Sequence, residues 1–344
     1  MKIAMIHRDM PPDSLAGVPI AVHRLSNELS RRGHSVDVFT TSRRAAGALY
    51  SSRGISAVNT SGFRAKLDFC RKIKSKDFTN YDIVHVHSAG CEKDFGVPLV
   101  RTFYGSALYE ALYSKNPARF FSQLYFVLLE IRGVFKADIC TSLPSSCSGF
   151  PAFGSEKIHV GCLRPESAGR KSHAPLFVSI GSLRGRKRGK KLLDMFTKNI
   201  RPDFPEAKLI FIGAGSSELP PEGVEFRENI SEEEKTELLM SAWAYLSASS
   251  YEGFGIPYIE AMTCKTPVLT RFNCGAKEMF SDERWSLCRS QSEMASKISD
   301  LINEPGLREK LSKKAEKISE NYSIELMGEK FEEVYKKLLK EKRC

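Results

Sequence analysis

The chain has 344 residues, 42% of them hydrophobic and 27% charged, with a formal net charge of +11. That length suits two domains of ordinary size, and the apolar share excludes an intrinsically disordered chain. No stretch reaches the ~18 consecutive apolar residues of a membrane span; the longest run, 120–134, is interrupted by Ser122, Gln123, Glu130 and Arg132. Residues 1–7 turn polar too soon for a signal peptide and read as a buried first strand, so a cytoplasmic location is expected. Nine cysteines, with no CxxC pair, are expected as free thiols, most of them acting as small hydrophobes. Up to Arg170 there are 23 Lys and Arg against 14 Asp and Glu; beyond it there are 29 against 27. The basic first half is expected to meet something anionic: a membrane surface, a phosphorylated acceptor or nucleic acid.

In chain order, apolar runs predict strands at 2–6, 35–40, 82–87, 98–103, 137–142 and 157–162. Between the first two, Ile20, Val22, Leu25 and Leu29 fall on roughly one helical face, and Gly33 ends the helix. The second half repeats the scheme, with strands predicted at 175–181, 207–213, 224–227, 244–248, 266–271 and 285–288. Ser231 is the expected N-cap of a helix over 231–242, and Glu232, Glu233 and Glu234 suit its first-turn dipole. Another helix runs from Pro257 to Cys264, with proline near its start. The segment 164–174, rich in proline, glycine and charge, reads as a linker, and 323–340 reads as a charged terminal helix. Alternating strands and helices imply α/β architecture with parallel, doubly wound sheets. Ligands of such sheets bind at the carboxyl ends of the strands, and the cleft between two domains is the expected site.

The most informative segment is Ser249-Ser250-Tyr251-Glu252-Gly253-Phe254-Gly255-Ile256-Pro257, continuing to Glu260-Ala261-Met262 and Thr266-Pro267-Val268. It follows a predicted strand and opens a predicted helix. Glycines there let a backbone approach a ligand closely, and free amides at a helix start can hold an anion or a sugar hydroxyl. Glu252 before the helix and Glu260 inside it can accept hydrogen bonds from two polyol groups of one ligand. This string resembles the signature of glycosyltransferase family 4 (group 1), whose two acids form an E-x7-E pair. Lys2-Ile3-Ala4-Met5-Ile6, then Gly17, then Gly33-His34-Ser35-Val36 is similar to the family's N-terminal unit, so the resemblance covers nearly the whole chain.

The resemblance implies the GT-B fold: two facing Rossmann-like domains, 1–165 on the acceptor side and 166–322 for the nucleotide-sugar, with 323–344 crossing back to the first. It implies a retaining hexosyltransferase with no metal, and no Asp-x-Asp motif occurs in the chain. Glu260 is then expected at the donor ribose, Glu252 at the transferred sugar, and the amides of Gly253, Phe254, Gly255 and Ile256 at the sugar and diphosphate. The family has an arginine directly after the first glycine of Gly181-Ser182-Leu183-Arg184-Gly185-Arg186-Lys187 and a lysine five residues later. Lys187 fits the second role; Ser182 stands in the first, so Arg184 or Arg186 is expected to supply that charge. Gly213, in Gly213-Ala214-Gly215, is expected near the base, and Gly17 near the donor phosphates.

His87 ends a strand as the catalytic-side candidate. His85 lies on the same face, but no third metal ligand is evident. Tyr104-Gly105 stands where the family often has histidine and glycine on the acceptor side. The basic segment 64–76 predicts a helix able to lie on an anionic membrane, which would suit a lipid-linked or other glycan acceptor reached from the inner membrane face. Packing against the core is expected to cover the second apolar stripe, in 120–129. A non-catalytic nucleotide-sugar-binding partner subunit is the alternative reading, and nucleic acid is not expected as a partner because no nucleic-acid motif is present.

Overall fold

The computed structural model describes residues 1–56, 62–114, 116–143, 154–166, 169–213, 219–281, 283 and 285–342. The chain divides into two compact units, Met1–Gly161 with Ile324–Cys344, and Cys162–Ser323.

The first unit contains β1 (Lys2–Ile6), α1 (Gly17–Arg31), β2 (Ser35–Thr40), β3 (Ser51–Gly54), α2 (Phe63–Lys74), β4 (Ile83–Val86), β5 (Leu99–Phe103), α3 (Ala107–Leu112), α4 (Pro117–Lys136), β6 (Ile139–Ser142) and β7 (Glu156–Lys157). Its sheet has the order β3-β2-β1-β4-β5-β6-β7, all neighbours parallel. The central strands are apolar on both faces, as a covered parallel sheet requires: Ile3, Ala4, Met5, Ile6, Ile83, Val84 and Val86 are wholly buried.

The second unit contains β8 (Leu176–Ile180), α5 (Gly189–Asn199), β9 (Lys208–Ile212), β10 (Val224–Arg227), α6 (Glu232–Ser241), β11 (Ala244–Ser247), α7 (Ile256–Thr263), β12 (Val268–Arg271), α8 (Cys274–Met279), β13 (Leu287–Cys288), α9 (Gln291–Asn303) and α10 (Pro305–Ser319). Its sheet runs β10-β9-β8-β11-β12-β13, and it is parallel throughout. Phe177, Phe196 and Phe211 anchor its core, and burying each contributes roughly 1.5–3 kcal/mol. Ser231 caps α6 by accepting from the Glu234 amide at 3.1 Å.

Chain order reverses between β1 and β4 in the first sheet and between β8 and β11 in the second. Such switch points open a crevice at the carboxyl ends of the strands. The loops leaving β4 and β11 begin at these points, and they include His87 and the 249–255 segment.

The last helix, α11 (Ile324–Glu341), packs on α1 of the first unit. Gly328 permits the approach, since a Cβ there would lie 2.5 Å from Glu28 Cγ. Arg32 fastens the pair, reaching Glu332 at 3.2 Å and the Glu325 carbonyl at 3.0 Å.

Four details depart from expectation. The strand predicted at 157–162 pairs in the sheet only at Glu156–Lys157; farther on, the Gly161 amide meets Met327 Sδ at 3.2 Å, and Cys162 bridges to Ser323. Strand β3, Ser-Ser-Arg-Gly, has no apolar alternation to reveal it. Six described cysteines are free thiols, whereas Cys274 is disulfide-bonded. The 120–129 stripe is only partly covered: among the described residues Phe120 and Leu129 are half-buried, whereas Phe121, Leu124, Tyr125 and Leu128 are exposed.

Candidate active site

The 249–255 loop leaves β11 at the switch point of the second sheet and forms a scaffold. Tyr258 is buried beneath it, with its hydroxyl 3.2 Å from Ser247 Oγ and 3.0 Å from Thr270 Oγ1. Asn273 caps α8 by accepting from the Ala276 amide (3.0 Å) and donates to the Tyr258 hydroxyl (3.3 Å) and the Ser249 carbonyl (3.4 Å). Gly275 has no room for a side chain, because a Cβ would lie 2.9 Å from the carbonyl oxygens of Glu252 and Phe254.

Gly255 is the N-cap of α7, at φ +91°. A Cβ would lie 2.4 Å from Tyr258 Cδ2, so contact and backbone conformation both demand glycine. Gly255→Ala is expected to cost ~2 kcal/mol or more. Gly306→Ala, at a helix start where a Cβ meets nothing within 4 Å, should be neutral or slightly stabilising. Thermal melts of the two variants check this; equal melting temperatures would contradict it.

Glu252 occupies the centre of the loop. Its Oε1 accepts from Ser249 Oγ at 2.6 Å and meets Lys187 Nζ at 2.7 Å; its Oε2 meets Arg186 Nη1 at 3.0 Å. Burial pushes this carboxyl up, but the charges of Lys187 and Arg186 outweigh it, and the net result lies below the usual carboxylate range. The carboxylate side chain is 7% exposed, while Lys187 and Arg186 keep 20% and 34%. A buried anion thus holds two cations that retain solvent contact.

Both cations come from the turn after β8, the other strand at the switch point. Residues Gly185–Lys187 form a single 3-10 turn. Arg186 locks it to the glutamate loop: its Nη1 donates to the Tyr251 carbonyl at 2.9 Å, and its own carbonyl accepts from the Ser250 amide at 2.9 Å. Gly181, at φ +147°, lies against the stem of Lys187. Of the two arginines in question, Arg186 reaches Glu252. Arg184 is exposed, and its carbonyl accepts from Ser182 Oγ at 2.9 Å.

Glu260 lies inside α7, 8% exposed, and accepts from Lys235 Nζ at 3.0 Å; Lys235 also holds Glu232 at 2.8 Å. Phe254 is buried and packs edge-on to Tyr322 at 5.8 Å. Gly253 and Ile256 are half-buried. Gly213 ends β9 at φ +76°, its amide donating to the Arg227 carbonyl at 2.7 Å. Ala214 and Gly215 lie outside the described residues.

In the first unit, Gly17 is the first residue of α1, and no side chain caps that helix start. His85 and His87 stack with ring centroids 3.9 Å apart. His85 is wholly buried, bonded to the Tyr335 hydroxyl of α11 (2.7 Å) and to Thr102 Oγ1 (2.6 Å). His87 Nδ1 meets the Tyr104 hydroxyl at 2.9 Å, and its Nε2 lies 3.4 Å from Met5 Sδ. Gly105 follows, half-buried. Burial holds His85 down at about 3 and His87 well below the usual histidine range. Beside this cluster a buried ion pair, Arg101 Nε to Glu92 Oε1 at 2.7 Å, ties β5 to the loop after β4. No group of three or more potential metal-ligating side chains is present among the described residues.

Ser249, Lys235 and the Tyr258–Asn273 scaffold join the site without being among the residues expected from the sequence. Ser249 was findable, three residues before Glu252 in the same loop. Lys235 had no signal, being one base in a helix of glutamates.

Two Rossmann-type sheets in tandem, with an acid–cation node at the second switch point, define a two-domain GT-B enzyme. The family described as "Glycosyl transferases group 1" matches residues 164–318, and "Glycosyltransferase Family 4" matches residues 15–140. The chain belongs to the group 1, family 4 glycosyltransferases. It is 24% identical over 286 residues to a phosphatidyl-myo-inositol mannosyltransferase of Propionibacterium freudenreichii, covering 74% of this chain and 72% of that one. In fold it resembles sucrose-phosphate synthase from Thermosynechococcus elongatus, with TM-score 0.79, 17% identity and 98% of both chains covered. It also resembles Anabaena HepE, solved with UDP-glucose, with TM-score 0.72, 15% identity, and 98% of this chain and 100% of that one covered.

Proposed function

We propose that this glycosyltransferase moves a hexose from a UDP- or GDP-sugar to an acceptor hydroxyl, with retained anomeric configuration and without a metal ion. The observation that carries the reading is the node of Glu252, Arg186 and Lys187 at the switch point of the second sheet. A departing nucleoside diphosphate gains negative charge as the bond to the sugar breaks, and fixed cations facing that charge are the usual largest contribution to such catalysis. Lys187 and Arg186 take that role, Arg186 standing in for the arginine that Ser182 replaces. Arg184 adds charge at the rim. Glu252 meets the transferred sugar, the 253–256 backbone holds sugar and diphosphate, and Glu260 accepts from the ribose hydroxyls. Gly213 borders the base. Gly17 brings its helix start to the phosphates, and His87, Tyr104 and Gly105 serve the acceptor.

The reaction breaks the bond from the anomeric carbon to the diphosphate oxygen and forms one from that carbon to the acceptor oxygen on the same face. The acceptor proton passes to the departing phosphate oxygen, so no protein nucleophile is required. Burial keeps the His87 imidazole neutral, suited to orienting a hydroxyl rather than carrying charge. UDP-glucose in HepE supports a UDP-sugar, and the mannosyltransferase relative supports a lipid-linked acceptor. Glycan, lipopolysaccharide or glycolipid assembly is the setting we infer, on the inner face of an anionic membrane that the basic segment 64–76 meets.

Glu260→Ala tests the donor assignment. Losing two charge-assisted hydrogen bonds should weaken donor binding by roughly 10- to 100-fold, while loss of the Lys235 ion pair lowers the melting temperature of the ligand-free protein without unfolding it. Calorimetric titration of the donor reads this directly. Unchanged affinity in a folded variant would remove Glu260 from the ribose site.

A further inference from the structure

Among the described residues fifteen large apolar side chains are exposed, and ten of them lie on α2, on α3 with its C-cap, or on α4. Monomeric surfaces rarely gather apolar groups this way without a partner. On α4, Phe121, Leu124, Tyr125, Leu128 and Phe135 recur at three-, four- and seven-residue steps, so they share one face of a 20-residue helix. Helix α2 is continuous with that surface. Phe63 packs edge-on to Tyr125 and Phe126 at 5.1 and 5.7 Å, and the Lys66 ammonium sits 4.8 Å over the Phe126 ring.

The charge around this face is mostly positive, the one acid of α3, Glu110, being held by Arg119 at 2.8 Å. Helix α2 carries five bases and one acid, and α4 three bases and one acid. Both acids are occupied: Asp68 is held by Arg71 at 2.6 Å and Lys72 at 2.8 Å, and Glu130 accepts from the Ala107 amide at 3.0 Å. An apolar helical face rimmed by cations matches the boundary between anionic headgroups and acyl chains. No helix among the described residues is long and apolar enough to cross a membrane, so such a helix would lie in the membrane surface.

We infer that α4 inserts its Phe121–Leu124–Tyr125–Leu128 face into an anionic lipid bilayer, with α2 supplying the headgroup contacts. This deepens the membrane reading above, from charge attraction at 64–76 to insertion by a second helix that carries the apolar contact.

The test is co-sedimentation of the full chain with vesicles of phosphatidylcholine alone or mixed with phosphatidylglycerol. Wild type is expected to bind the anionic vesicles. F121E/L128E, two changes at side chains 68% and 63% exposed, should bind at least about tenfold more weakly while hydrolysing soluble donor at the wild-type rate. R64E/R71E should lose the preference for anionic lipid. Phe121→Trp should be quenched by lipids with brominated acyl chains. Undiminished binding by F121E/L128E would overturn insertion yet leave charge-driven attachment and the transferase reading standing. No vesicle binding by wild type, with a dimer in solution that F121E/L128E dissociates, would overturn the inference and assign the face to a second copy of the chain.

Discussion

Lys187→Ala is expected to lower turnover by roughly 10²- to 10³-fold, the usual effect of removing one fixed group that stabilises developing negative charge. Donor affinity should fall much less, because the diphosphate of the intact donor carries less charge on the bridging oxygen than the departing one does. The substitution also disturbs the node itself. Lys187 Nζ lies 2.7 Å from Glu252 Oε1, and its charge is the foremost influence holding that buried carboxyl down against burial. Without it the Glu252 carboxyl rises, and the folded protein loses part of the attraction that offset burying an anion. Two further variants separate the effects. In Lys187→Ala/Glu252→Gln no anion is stranded, so stability should recover while turnover stays low. In Lys187→Arg the charge remains and part of the rate should return. Single-turnover rates beside calorimetric donor affinities distinguish these outcomes. A folded Lys187→Ala variant within tenfold of wild-type turnover would remove Lys187 from catalysis.

Acid should unfold the first unit before the second. His7 is held down at about 4 and His85 at about 3, each mainly by burial, and His87 also lies well below the ordinary range. Above pH 6.5 these groups are neutral in both folded and unfolded chains, and their full contribution to stability is present. Below that pH the unfolded chain takes up protons that the folded unit does not. Stability then falls by ~1.4 kcal/mol per pH unit for each such histidine, down through the folded pKa. Three histidines together cost roughly 3 kcal/mol over the first pH unit below 6.5, of which Glu130, pushed up to about 7 by burial, offsets about 1 kcal/mol; the remainder is a substantial part of ordinary domain stability. The sole histidine of the second unit is His173. Its buried carboxylate Glu252, held low by cations, loses its contribution only as pH falls below the usual carboxylate range. Hydrogen exchange followed by mass spectrometry from pH 7.5 down to 5 checks this: β1, β4 and β5 should lose protection while β8 and β11 keep it. Simultaneous loss, or loss in the second unit first, would contradict the account.

Where the sequence was legible, elementary patterning explains why. The central strands of both sheets are short, mostly apolar runs, and each predicted run among them overlaps a strand of the structure. The helix starts at Glu232 and Ile256 were readable because serine capping and the Gly-x-Pro turn are local chemistry. The glutamate loop was readable for the same reason: spacing, glycines and helix start all lie within nine residues.

What escaped depended on approach in space. Arg186 and Glu252 are 66 residues apart, and the sequence left Arg184 and Arg186 equivalent; the 3-10 turn after β8 decides which one reaches the carboxylate. His85 and Tyr335 are 250 residues apart, and their bond follows from α11 returning to the first unit. The α4 stripe was legible as an apolar face. What covers such a face is not encoded in its periodicity, and the structure leaves most of it to solvent.

The most direct test of the central claim is a panel of UDP-, GDP-, ADP- and dTDP-sugars, each mixed with the purified protein in EDTA and followed by thermal shift and by release of free sugar. Stabilisation by one class, UDP- or GDP-sugars, is expected, with slow metal-independent hydrolysis that Lys187→Ala abolishes. Absence of stabilisation by every donor would contradict donor binding at the Glu252–Arg186–Lys187 node. Turnover that EDTA stops would contradict the metal-free mechanism.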